Sequence, residues 1–219
     1  MRLLALAVLG SVTSFAHAEA VIEPSTGTKF DELRTVDGKS YLLTGAGVRK
    51  KFGMVKVYAM GLYVDQDEAR RAFPSLLQRA GGGDHSRLVA SDHSQSFLVW
   101  GHFGKMAVLH FVRSVDKDKV QNAFRENLAP ELSDKSPPDV KKATEEFLAL
   151  VAVDVKDGQD IVIHSDPEGK LTLDIGGVKK DGPKNIKLAR AVWNIWLGPK
   201  SISSDLKRNL VARIELLGK

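Results

Sequence analysis

The sequence predicts an α+β domain in which mainly antiparallel strands lie beside a clustered set of helices. Three observations carry that expectation. The N-terminal half alternates apolar and polar residues with a period of two and breaks at Gly and Asp. The middle switches to helical spacing behind Asp and Pro starts, and the C-terminal part holds one short β pair followed by two amphipathic helical stretches.

Alternation places strands over residues 29–33, 39–44 and 54–64, with a turn at Val36-Asp37-Gly38-Lys39. Over residues 65–80 the spacing of Ala69, Ala72, Phe73, Leu76 and Leu77 is helical, and Gly81-Gly82-Gly83 stops it. Two apolar runs, 97–102 and 106–112, are expected to form a hairpin turning near Gly104-Lys105. Val115-Asp116 opens a helix through Val120, Phe124 and Leu128. Pro137-Pro138-Asp139 opens another with Val140, Ala143, Phe147, Leu148 and Val151 on one side and Glu145-Glu146 on the solvated side. A β pair, 160–164 and 170–175, turns at Asp166-Pro167-Glu168-Gly169. Residues 185–197 and 203–217 close the chain as two amphipathic helices separated by Gly198-Pro199, with Ser203 or Ser204 as N-cap.

Residues 1–18 read as a secretory signal: Arg2 is a short basic start, Leu3 to Leu9 an apolar run too short to span a bilayer, and Ala16-His17-Ala18 a small-residue cleavage site. Cleavage after Ala18 leaves one domain over 19–219, periplasmic or secreted, without a stable membrane span. That remainder, from a chain of 43% hydrophobic residues, suffices for one sizeable core. With no cysteine, neither a disulfide framework nor a thiolate metal site is possible, and export without cross-links suits a bacterial periplasm. The formal charge of +5 falls to +4 when Arg2 leaves, and the basic residues are dispersed. Nucleic acid is therefore not an expected partner.

Residues 43–64 are the most informative segment. They set Arg49 in an apolar, glycine-punctuated, β-rich stretch, which is how an anion site inside a fold looks in sequence. Its bland counterpart is a strand-edge arginine in a surface salt bridge. Gly45-Ala46-Gly47 begins like a dinucleotide fingerprint but has no third glycine and no following helix, so no cofactor is expected. His102 and His110, an even number apart on two strands expected to pair, could share a face, but His85 and His93 lack ligand spacing and no metal is expected.

Three ordered blocks resemble the chalcone isomerase-like superfamily: Gly45–Arg49 with Lys56–Val64, residues 106–127, and residues 188–207 containing Ile195-Trp196-Leu197-Gly198. The resemblance implies an open-faced β-sandwich, a large antiparallel sheet with helices packed on one side and a ligand cleft between them. Members of that superfamily either close a chalcone into a flavanone or bind fatty acids without chemistry. Both kinds place an arginine where Arg49 stands, since a guanidinium stays charged when buried and grips phenolate and carboxylate alike. The polar residues the enzymes add are altered here: Tyr58 replaces a threonine, no tyrosine lies between Val115 and Asn127, Asp116 and Ala123 occupy the nearest helical positions, and Ile195 replaces a second threonine. The resemblance thus implies an exported, non-catalytic member that binds a small amphipathic anion such as a fatty acid. Arg49 and Tyr58 would hold the head group, and Val57, Met60, Leu62, Leu109 and Trp193 the tail. An isomerase acting on a phenolic enone and a ligand-free interaction protein are the alternatives. Strand parity opposes the pair, because odd and even residues of one uninterrupted strand point to opposite faces. Arg49 and Tyr58 converge only if a turn or bulge intervenes near Phe52-Gly53.

Overall fold

The computed structural model describes residues 19–80, 82, 84–132 and 135–219; the expected signal at 1–18 and the glycine stop at 81 and 83 lie outside the described residues. Seven antiparallel strands form the main sheet, each hydrogen-bonded to its neighbour in chain order: β3 (Leu33–Val36), β4 (Lys39–Lys51), β5 (Val55–Asp65), β6 (Lys105–Phe111), β7 (Asp160–Ser165), β8 (Lys170–Ile175) and β9 (Val178–Lys184). A separate two-stranded ribbon, β1 (Ala20–Ile22) with β2 (Lys29–Asp31), covers part of one face of this sheet. Phe30 of the ribbon packs with Tyr41, Leu43, Ala59, Tyr63, Met106 and Val108 there.

The other face carries the principal core. Alternate residues Leu62, Val64, Ala107, Leu109, Ile161, Ile163 and Leu173 point to it and meet the helices. These are α1 (Gln66–Arg79), α2 (His85–Ala90), α3 (Asp92–Trp100), α4 (Lys117–Leu128), α5 (Pro138–Ala149), α6 (Ile186–Leu197) and α7 (Ser204–Asn209), followed by a 3₁₀ turn at Ile214–Gly218. Asp65 caps α1 by accepting from Glu68 N, and Ser203 caps α7 by accepting from Leu206 N. The fold is thus α+β, with a curled antiparallel sheet and its helices packed on one face. No described helix is long and apolar enough to cross a membrane.

The structure corrects several expected elements. Residues 97–100 are not a strand: Ser91 caps α3, which runs through Trp100, so no hairpin joins that run to β6. A continuous apolar run this short carries no usable period. His102 therefore lies in a loop, largely exposed, while His110 on β6 bonds Asp160 through Nδ1 at 2.8 Å, and the two imidazoles share no face. Residues 29–33 divide between two sheets, and 203–217 hold a short α7 and a 3₁₀ turn in place of one long helix. β4 extends well past its expected end at 44, and the polar edge strand β9 carried no alternation to reveal it.

Lys105, at the start of β6, is buried; its Nζ donates to the carbonyls of Gly101 (2.7 Å) and Phe103 (3.2 Å) and lies 4.6 Å from the centre of the Phe103 ring. Burial, aided by the nearby Arg190 charge, pushes this ammonium down to about 7 from its usual 10.5. Between those values the unfolded chain holds the extra proton, so stability rises with pH across that interval. The penalty for the buried charge is complete below pH 7 and is relieved as pH climbs. Lys105→Met is therefore expected to raise stability at pH 6.5 and to lose about 1–3 kcal/mol of that advantage by pH 9 in urea unfolding. A difference between the two chains that does not change with pH would refute this account.

Candidate functional site

Two β-bulges build the site. Near the tip of the β4–β5 hairpin Lys51 pairs with Val55 and Lys50 with Lys56, but the next pair is Arg49 with Tyr58, so Val57 is the extra residue. Had the first register continued, Tyr58 would have faced Val48. A second irregularity at Thr44, between the Leu43–Tyr63 and Gly45–Leu62 pairs, restores the original register. Arg49 and Tyr58 are therefore cross-strand partners whose side chains leave the same face, toward the helices. The tip itself turns through Phe52 and Gly53, both in the left-handed region at φ 52° and 72°. Turn and bulge together supply the interruption that strand parity demanded.

The pair borders a cavity of ≈ 620 Å³ between the sheet and the helices. Its floor is Val57, Tyr58, Leu109, Phe111 and Ile161, and its roof Val120 and Phe124 of α4 with Ile195 and Trp196 of α6. Lys51, Arg113 and Lys119 stand at its exposed rim with Glu126. The interior is thus apolar and the rim mainly cationic.

Arg49 is partly buried, and its Nη1 donates to the carbonyls of Lys50 and Ile202, both at 2.8 Å. Among the described residues no carboxylate lies within ion-pair distance of it. Two backbone acceptors orient the guanidinium and leave its charge uncompensated. Tyr58 is buried, and its hydroxyl oxygen accepts from Trp196 Nε1 at 2.9 Å. Burial pushes the phenol up to about 12, against smaller opposing effects of the Trp196 hydrogen bond and the Arg49 charge. The hydroxyl thus keeps its proton at neutral pH and, with its oxygen already serving Trp196, has that proton to donate.

Tyr58→Phe is expected to lower stability by about 1–3 kcal/mol, because the buried Trp196 N–H loses its acceptor. Urea unfolding measures this, and an unchanged midpoint would show that the Trp196 bond contributes nothing.

The expected site residues divide. Arg49, Tyr58, Val57 and Leu109 come together at the cavity, whereas Met60, Leu62 and Trp193 do not line it. Met60 and Leu62 are fully packed in the core farther along β5, and Trp193 is buried with its Nε1 donating to Ser165 Oγ at 3.0 Å. Trp196, one turn along the same helix, takes the place expected of Trp193. Arg113, Lys119, Phe111 and Phe124 went unforeseen; the single available signal was their position in the second resembling block. Asn122 and Asn127 on α4 also reach the cavity. Among the described residues no three His, Asp or Glu side chains gather as metal ligands do.

Comparison with known proteins agrees with this architecture. The crystal structure of the fatty-acid-binding protein AtFAP1 of Arabidopsis thaliana superposes with a TM-score of 0.74, covering 91% of this chain and 98% of that one at 21% sequence identity. At that identity the likeness speaks for the fold. A family model described as chalcone isomerase-like matches residues 23–81 and 90–212, nearly the whole described chain, and on that match the protein belongs to the chalcone isomerase-like family.

Proposed function

We propose that this protein is an exported, non-catalytic carrier that binds a small amphipathic anion such as a fatty acid, with the carboxylate at Arg49 and Tyr58 and the tail in the apolar cavity. One observation carries the proposal: a guanidinium oriented by two backbone carbonyls and without a carboxylate partner among the described residues, at the border of a ≈ 620 Å³ apolar cavity. An uncompensated, partly buried cation is costly, and an anionic guest removes the cost. The Tyr58 proton offers the guest a second donor. A cavity of this volume lies in the range of small-ligand sites. That AtFAP1, of the same fold, is a fatty-acid-binding protein is consistent with the reading. Export rests on the pattern of residues 1–18.

Native mass spectrometry of protein purified from its own host tests the proposal. An adduct with the mass of a long-chain acid is expected, and repeatedly empty protein from gentle preparations would overturn it. The alternative, an isomerase of phenolic enones, draws on Asn122 and Asn127 at the cavity wall. It requires loss of chalcone absorbance that disappears with Arg49→Ala.

A further inference from the structure

The tip of the β4–β5 hairpin is the most conspicuous unexplained surface. Phe52 and Met54 are 83% and 82% exposed, and Val55 beside them is also exposed, so three apolar side chains stand on a protruding turn. Phe52 holds a left-handed backbone conformation that disfavours a bulky L-residue. Its ring stands largely in solvent, with the Lys51 ammonium 5.4 Å from its centre. Lys50, Lys51 and Lys56 surround the tip, all exposed, and Lys56 reaches the carbonyl of Ser25. The same hairpin forms the wall of the cavity through Arg49, Lys51, Val55 and Val57, and Arg113 and Lys119 add positive charge to the adjoining rim. Apolar tip, cationic collar and cavity mouth are thus continuous.

We infer that this hairpin docks the protein on an anionic lipid bilayer, with Phe52 and Met54 inserted at the headgroup–acyl boundary and the lysines on lipid phosphates. Aromatic and apolar side chains on a basic surface are the combination that binds such an interface. The cationic collar selects a negatively charged surface over an apolar protein groove. Docked in this way, the cavity mouth faces the bilayer, and an amphipathic anion passes between membrane and cavity without crossing open water. The inference extends the carrier reading given above, yet docking itself rests on the hairpin alone.

The chain has no cysteine, so Met54→Cys accepts a single environment-sensitive fluorophore, and Glu168→Cys in the turn at the opposite end of the strands serves as its control. Vesicles of phosphatidylcholine alone are compared with vesicles containing about 30% phosphatidylglycerol. The label at position 54 is expected to shift to the blue and to be quenched by brominated acyl chains on the anionic vesicles only, while the label at 168 stays unchanged. Phe52→Ser with Met54→Ser, and separately Lys50→Glu with Lys51→Glu, are each expected to weaken vesicle binding at least about tenfold while circular dichroism is preserved.

A label at 54 that remains in water on both vesicles overturns the inference. So does a blue shift that follows protein concentration without lipid, which would make the tip a contact between copies. The two proposals separate cleanly. Arg49→Ala is expected to leave docking intact, and the Phe52/Met54 variant to keep its affinity for a fatty acid presented in solution; a parent chain that docks on anionic vesicles yet is repeatedly purified empty would fail the carrier reading alone.

Discussion

Replacing Arg49 by alanine is expected to weaken binding of a long-chain fatty acid by about 30- to 160-fold, the effect of removing about 2–3 kcal/mol of charge-assisted hydrogen bonding. Under the carrier reading the guest carboxylate is the only counter-charge this guanidinium receives among the described residues, so the loss falls on affinity. The folded chain loses little, because among the described residues Arg49 gives side-chain hydrogen bonds to two backbone carbonyls, those of Lys50 and Ile202. A stability change of about 1 kcal/mol is expected, against the larger change in binding. Arg49→Lys keeps the charge but not the planar fork, and its affinity should fall between the two. Displacement of a fluorescent fatty acid, alongside urea unfolding of the same samples, separates the effects. Equal affinities for Arg49→Ala and the parent chain would remove the head-group assignment, whatever the cavity then holds.

Gly45→Ala is expected to destabilise the protein by about 3 kcal/mol or more, lowering its melting temperature by roughly 6–12 °C. A methyl group added to a strand glycine ordinarily helps by about 0.5–1 kcal/mol, since it restricts the unfolded chain. The packing here reverses the sign. A Cβ on Gly45 would stand 2.0 Å from the Asn209 carbonyl oxygen and 2.6 Å from the Leu210 carbonyl carbon, both backbone atoms at the end of α7. That segment cannot retreat cheaply, because Thr44 Oγ1 donates to Leu210 O at 2.9 Å and Arg213 N donates to Thr44 O at 2.8 Å. The close approach matters for the site, because Ile202, which precedes α7, supplies one of the carbonyls that hold Arg49. Thermal unfolding by circular dichroism tests this, and a Gly45→Ala chain as stable as the parent would show that α7 yields where the structure says it cannot.

Much of the helical half was legible because its signals are local. Val120, Phe124 and Leu128 recur at helical spacing on α4, and Val140, Ala143 and Phe147 on α5, so the sides that became buried could be named in advance. Glu145 and Glu146 are exposed, as their position opposite that side required. The failures have an equally local cause. Phe97 to Trp100 form a continuous apolar run too short to show a period, and were read as strand where α3 stands. β9 is polar, contains Gly182 and Pro183, and sits at the sheet edge, where no second buried face forces alternation. The end of β4 was missed because Gly45, Gly47 and three successive cations interrupt its pattern.

Sequence alone pointed to an arginine and a tyrosine in one glycine-punctuated, β-rich segment as the candidate site, in a chain of α+β type with no cysteine. Whether the arginine and tyrosine meet was decided in three dimensions. Strand parity sends them apart, and a single extra residue at Val57 brings them opposite each other, a choice made by hairpin register that composition does not encode. Likewise Trp193 and Trp196 lie one turn apart on the same helix, and only the rotation of α6 against the sheet sends one indole to Ser165 and the other to Tyr58 at the cavity. Local spacing specifies which residues a segment offers, whereas register and helix rotation are set by the packing of segments distant in the chain.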